Sequence, residues 1–188
     1  MIARLTLICH AATAATRTGA FPGDEPLEPQ GAAAAAGCAG RIRGGPSVLT
    51  SPALRARQTA DALGLSASID QELRDCDYGR WAGRSLAQVE ADEPEALAAW
   101  ITDPRSAAHD GESLEELLAR VSSWLDERCD AGTRIVAVTH ASVVRAAIVH
   151  ALRAASHSFW LIDIDPLTRT ELRGNGARWT LRAIERLA

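Results

Sequence analysis

Apolar positions along this chain switch between two rhythms. LTLIC, Leu5 to Cys9, and RIVAVT, Arg134 to Thr139, are short continuous apolar runs that each end at a histidine. Runs of this length, rich in β-branched residues and bounded by turn formers, predict strands buried on both faces. The first strand is expected near Arg4 to Ile8. SVLTS, Ser47 to Ser51, predicts another short strand, and ASID near Ser68 one more.

Between these runs the period becomes helical. The small-residue stretch from Gly31 to Ile42 predicts a helix with a flat surface suited to close packing on a sheet. Pro52 opens a second helix in which Leu54, Thr59 and Leu63 share one side. Leu114, Leu117, Leu118, Val121, Trp124 and Leu125 mark the best amphipathic helix, Ser113 to Arg128, and Glu112, Glu115 and Glu116 near its start suit the helix dipole. ASVVRAAIVHAL restarts a helix directly after His140. Shorter helices are expected around Leu86 to Glu90 and Glu95 to Trp100, after the turn-rich stretch ELRDCDYGRWAGRS, which reads as a loop or inserted cap. The tail from Phe159 to Ile184 alternates through FWLIDID, TRTELRG and ARWTLRAI, with Gly174 to Gly176 as a hairpin turn, and predicts antiparallel edge strands.

Strands alternating with helices predict an α/β three-layer sandwich with a mostly parallel central sheet. At 188 residues the chain is read as a single domain, 1–188, with a small cap-like insertion around 71–110. The net charge of -4 argues against a nucleic-acid partner. No apolar run approaches the roughly 20 residues that span a membrane, so a soluble cytoplasmic protein without a membrane partner is expected. A homo-oligomer stays open. Cys9, Cys38, Cys76 and Cys129 have no metal-like or paired spacing and read as reduced thiols.

Candidate chemistry lies at the two strand ends. Open α/β sheets bind ligands outside the carboxyl ends of their strands, where His10 and His140 both fall. His150 and His157 sit away from such ends and read as ordinary core or rim residues. Arg55, in the first turn of the helix after the second strand, can reach the same rim and complete an anion pocket.

With these residues in place the chain resembles the histidine phosphatase superfamily, which includes phosphoglycerate mutases and many phosphomonoesterases. Cys9, His10 and Ala11 match the family's Arg-His-Gly, and Thr13 fits the threonine that follows it. SPALRARQTA is similar to SPxxRAxxTA, DEPLEPQG to DxPLTxxG, and LRDCDYGRWAG to LxExxxGxWxG. DGES, Asp110 to Ser113, resembles the GES that opens a family helix, and VTHASVVRA resembles the segment around the second histidine. The resemblance implies a phosphoglycerate-mutase-like fold, a small phosphorylated substrate, and no cofactor or metal. It makes His10 the nucleophile that becomes a phosphohistidine, Arg55 and His140 ligands of the phosphoryl oxygens, and Asp75 the general acid, with Glu72 and Asp77 in reserve. To hold a proton near neutrality, Asp75 is expected to have a pKa well above the ordinary carboxylate value.

The departures sharpen the question. Cys9 stands where the family has a phosphate-binding arginine, and Ala11 and Ala141 replace glycines. Hydrogen bonds to charged groups contribute about 1.5 to 3 kcal/mol each, so a missing fork lowers rate or affinity by about two powers of ten. Three outcomes follow: Arg17 supplies the missing cation, the site is a catalytically impaired binder of an anionic ligand or a partner protein, or Cys9 is a reactive thiol. Hydrolysis is favoured over mutase action because the cap region is short, and Trp81 beside Asp75 is expected to form a substrate wall.

Overall fold

LTLIC and RIVAVT pair side by side at the centre of a six-stranded sheet. The computed structural model describes residues 2–42, 45, 47–129, 132 and 134–187. In chain order the elements are β1 (Ala3–Cys9), α1 (Ala14–Thr18), α2 (Pro29–Gly37), β2 (Ser47–Thr50), α3 (Leu54–Ala62), β3 (Ser68–Ile69), α4 (Leu86–Asp92), α5 (Pro94–Thr102), α6 (Leu114–Asp126), β4 (Arg134–Thr139), α7 (Ala141–Leu152), β5 (Thr168–Gly174) and β6 (Trp179–Arg186). The strand order is β3-β2-β4-β1-β5-β6. The first four of these run parallel, and β5 and β6 add an antiparallel hairpin at one edge.

The continuous apolar runs are explained by the two helix layers. Leu5, Leu7, Ile135 and Ala137 point into the core under α6 and α7, while Ile8, Val136 and Val138 point into the core under α2 and α3. Each strand is therefore apolar on both faces, and burying each Leu, Ile or Val contributes about 1.5 to 3 kcal/mol before the entropy of ordering is subtracted. α6 buries Leu114, Leu117, Val121, Trp124 and Leu125 along one stripe, and a capping box between Ser113 and Glu116 starts it. No helix among the described residues is long and apolar enough to cross a membrane.

Two boundaries differ from the sequence expectation. The small-residue helix α2 begins at Pro29 and ends at Gly37 rather than running to Ile42. Gly40 beyond it adopts φ 77, a left-handed conformation that closes the turn. FWLIDID is not a strand: Ser156–Leu161 forms a 3-10 helix, with extended coil after it. Its alternation reflects Phe159 packing inward while Leu161 stays 81% exposed. The sheet edge beside β1 that it would have needed is taken by β5.

Candidate active site

The register of the central pair builds the site. Cys9 pairs with Thr139, so the next residues, His10 and His140, leave the sheet together. Their ring centroids lie 5.2 Å apart, and the His10 amide donates to the Thr139 carbonyl at 2.9 Å. His140 is also the residue before the first turn of α7. Both imidazoles are almost fully buried.

His10 Nδ1 lies 2.8 Å from the Ala11 carbonyl oxygen, which makes Nδ1 the donor and leaves the unprotonated Nε2 as an acceptor. Burial and the nearby Arg55 charge hold the His10 imidazole below its ordinary pKa, so the ring is neutral. Burial does the same to His140 and brings it down to about 3. Its Nε2 lies 2.7 Å from Ser51 Oγ, and its Nδ1 lies 3.3 Å from Asp75 Oδ2 without a hydrogen bond.

Arg55 reaches this point from the first turn of α3 and is 2% exposed. Its Nε donates to His10 Nε2 at 3.3 Å, Nη1 to the Gly23 carbonyl at 2.6 Å, and Nη2 to Asp75 Oδ2 at 2.7 Å. The loop that supplies Gly23 is pinned at both ends of its contact with α3. The Leu54 amide donates to Asp24, and Gln58 accepts from the Leu27 amide. Gly31 lets α2 pack onto the loop after His10, because a Cβ there would run into the Ala12 carbonyl.

Asp75 joins the cluster, but its state differs from the sequence expectation. Burial alone would raise its carboxyl. Against burial, the His140 ring where it is protonated, and at every pH the Arg55 guanidinium and the hydroxyl of Ser142, pull it down to about 2. Ser142 donates to Oδ1, and the Cys76 amide donates to the same oxygen at 2.9 Å. In the free protein Asp75 is an ionised partner of Arg55. Glu72 is half exposed beside Arg74, and Asp77 accepts from the Gly79 amide, so neither reserve carboxylate reaches the pocket.

The other expectations divide. Arg17 is 64% exposed and donates to Glu28 at 2.9 Å. Thr13 and Thr16 use the inner side of α1 in a capping box and line the pocket, so the helical phase turns Arg17 outward. Cys9 points into the hydrophobic core, where burial and the Asp75 charge push its thiol up to about 12, which leaves no thiolate for redox chemistry. Neither Ala11 nor Ala141 sits in the left-handed region, so the glycines they replace are not needed for backbone freedom. Trp81 is fully buried in a small core with Phe21, Val89 and Leu97 and forms no wall.

Sequence reasoning missed several contributors. Arg120 on α6 makes a forked pair with Glu112, both bonds at 2.7 Å, and donates to the Glu72 carbonyl at 2.6 Å, so it clamps the loop that carries Asp75. Above His10 opens a cavity of about 170 Å³, walled by Tyr78, Trp100, Phe159, Trp160, Leu114 and Leu117. Arg145 also lines it, one helical turn beyond Ala141 on α7. No spacing rule assigns walls contributed by four segments this far apart in the chain. Arg145, at four residues from Ala141, was the one legible signal.

Comparison with known proteins fits this geometry. The model of the histidine phosphatase superfamily (branch 1) matches residues 5–186, and the chain belongs to that family. It is 30% identical over 152 residues to a bifunctional protein of Mycobacterium tuberculosis, covering 77% of this chain and 42% of that protein. The chain thus spans less than half the length of that relative. It is 29% identical over 174 residues to the adenosylcobalamin/alpha-ribazole phosphatase of Salmonella typhimurium, with 86% of each chain covered. Among solved structures it is similar to a mycobacterial glucosyl-3-phosphoglycerate phosphatase complexed with VO3, at 27% identity and TM-score 0.82, covering 96% of this chain and 97% of that one. The fold is accordingly α/β with a mixed central sheet of the phosphoglycerate-mutase-like kind, and the alpha-ribazole and glucosyl-3-phosphoglycerate relatives are named as phosphatases.

Proposed function

We infer that the chain is a phosphomonoester hydrolase that works through a phosphohistidine on His10. The observation that carries this reading is the neutral His10 imidazole, fixed through Nδ1 so that the Nε2 lone pair meets Arg55 at the pocket floor. An in-line attack on phosphorus needs that lone pair and fixed positive charge beside the phosphoryl oxygens. Small phosphorylated metabolites are the substrate class, in keeping with the names of the relatives.

In the first step His10 Nε2 bonds to phosphorus as the bond from phosphorus to the alcohol oxygen breaks, and the electron pair leaves on that oxygen. Arg55 and His140 hold the phosphoryl oxygens. Asp75 gives the leaving oxygen its proton. That proton arrives with the substrate as the phosphate monoanion, whose second pKa is about 6. The incoming negative charge competes for Arg55 and repels the carboxylate, and both effects raise Asp75 from its low resting value. In the second step water attacks phosphorus as the bond from phosphorus to His10 Nε2 breaks and its electron pair returns to nitrogen. Asp75 takes the water proton and passes it to the departing phosphate, leaving His10 neutral and Asp75 ionised again. The segment around 71–110 acts as a small cap over these events.

The position of Cys9 favours a second reading, a binder of phosphorylated ligands with impaired turnover, because the first-motif cation is absent and the thiol faces the core. Phosphate release from a panel of phosphomonoesters between pH 5 and 8 separates the two. Hydrolysis predicts release that drops on the order of a thousandfold in His10→Ala, together with an acid-labile phosphoryl label on the wild-type chain. Equal, background release from both proteins, with phosphate still bound by the wild type, would establish the binder.

A further inference from the structure

The pocket above His10 has two unlike ends. His10, Asp75 and Ser142 meet at the floor, and the hydroxyls of Thr13 and Thr16 are used in the cap of α1. The walls are aromatic. Trp100 and Trp160 meet edge to face with centroids 4.7 Å apart, Phe159 and Trp160 at 5.0 Å, and Tyr78 and Trp100 at 6.3 Å. Leu114 and Leu117 complete a surface with few polar groups.

One cation stands on this aromatic side. The Arg145 guanidinium carbon lies 5.8 Å from the centre of the Phe159 ring, and its Nε is buried without a hydrogen-bond partner. Nη2 has a long contact of 3.4 Å to Asp163, whose side chain is 92% exposed. Arg145 lines the cavity with its Nε sealed inside the protein and its terminal Nη2 in only a long, exposed contact with Asp163, so the guanidinium can exchange that contact for an acceptor placed in the cavity.

We propose that the site selects phosphomonoesters whose alcohol carries a flat apolar body with an acidic or strongly accepting substituent, and that Arg145 receives that substituent. The inference rests on the phosphatase reading for the position of the phosphoryl group at His10. A flat ring laid in the cavity against the exposed sides of Trp100, Trp160 and Tyr78 gains stacking and edge contacts. A polyhydroxylated alcohol would leave its hydroxyls unpaired against the same walls. The far substituent accepts from the terminal nitrogens of the Arg145 guanidinium in place of the long contact to Asp163.

Phosphonates test the walls without turnover, since their carbon–phosphorus bond is not hydrolysed. Calorimetric titration compares methylphosphonate, benzylphosphonate, 4-carboxybenzylphosphonate and a polyhydroxylated alkylphosphonate. Benzylphosphonate is expected to bind about tenfold more tightly than methylphosphonate, and the carboxylate to add about another tenfold. Trp160→Ala, with Trp160→Leu as the milder change should the first fail to fold, should bring the benzyl-to-methyl ratio towards one. Arg145→Met should bring only the carboxybenzyl-to-benzyl ratio towards one.

Equal binding of the benzyl, methyl and polyhydroxylated compounds would overturn the selectivity. An Arg145→Met protein that keeps the carboxylate gain, or loses the same factor on all four compounds, would overturn the role of Arg145. If even methylphosphonate and inorganic phosphate fail to bind the wild type, the phosphoryl site itself is wrong, and the inference falls with it.

Discussion

The floor and the walls of the pocket are built by different parts of the chain. His10 and His140 leave neighbouring parallel strands paired in register from Arg4 and Arg134 to Cys9 and Thr139, and beside them Asp75 accepts from both Arg55 and Ser142. Trp100 comes from α5, Phe159 and Trp160 from the 3-10 turn after α7, and they meet through aromatic edges rather than hydrogen bonds. Strand register leaves no freedom in the floor, because a one-residue slip would turn every buried side chain to the wrong face. The aromatic part of the walls, at Tyr78, Trp100 and Trp160, belongs to short segments outside the sheet, while Leu114 and Leu117 are fixed by the core packing of α6. Reaction chemistry on rigid strand ends and selectivity on replaceable loops is the division expected of one fold serving several substrates.

The sharpest break in that division is at Arg55. Arg55→Met removes the guanidinium shared by His10 and Asp75, and kcat/KM should fall on the order of a hundredfold to a thousandfold. It also leaves the Asp75 charge buried and unpaired, at a cost of about 3 kcal/mol in stability, read as a lower melting temperature. A variant with wild-type turnover would remove Arg55 from the floor.

A smaller loss is expected one layer away. Arg120→Ala frees the Glu72–Asp75 loop from α6, and kcat should drop about tenfold while KM changes less, since Asp75 moves but the walls do not. Arg120→Lys, which keeps the charge but not the fork, should recover only part of it. If KM rises and kcat is untouched, the clamp serves binding instead.

Acid should destabilise the floor before the walls. His140 is held at about 3 against an ordinary 6.5, and His10 is lowered in the same direction, so the unfolded chain takes up protons that the folded chain refuses. Their contribution is intact above pH 6.5 and declines as pH falls from there towards 3. Asp75, lowered from 3.8 to about 2, adds a loss that begins only as pH falls through that lower range. Melting temperatures between pH 7 and 4 should therefore decline, and His140→Asn should flatten the slope. An unchanged slope would falsify the assignment of the acid sensitivity to this imidazole.

The smallest effect is expected at Arg17. Its exposed pair with Glu28 is worth at most about 1 kcal/mol, and Arg17→Ala should leave phosphate affinity and turnover within twofold of wild type. A tenfold loss would bring the α1 loop into the floor after all.

The sequence by itself determined the strands that end on His10 and His140, the α6 stripe from Leu114 to Leu125, and the reach of Arg55 to the same rim, because period and strand-end position are local properties; Asp75 was pointed to only by the family resemblance. It misplaced FWLIDID, whose alternation comes from packing on α7, and it took Trp81 for a wall when Trp100 and Trp160 hold that place. Arg17 and Thr16 are adjacent in the chain, yet one helical step of about 100° separates a solvent-exposed residue from a pocket-lining one. The ionised state of Asp75 was out of reach for the same reason. It depends on Arg55 and Ser142, 20 and 67 residues away in the chain, and on the burial they share. Only the tertiary structure brings those groups within bonding distance, and the electrostatics of a site follow from distance and burial rather than from sequence order.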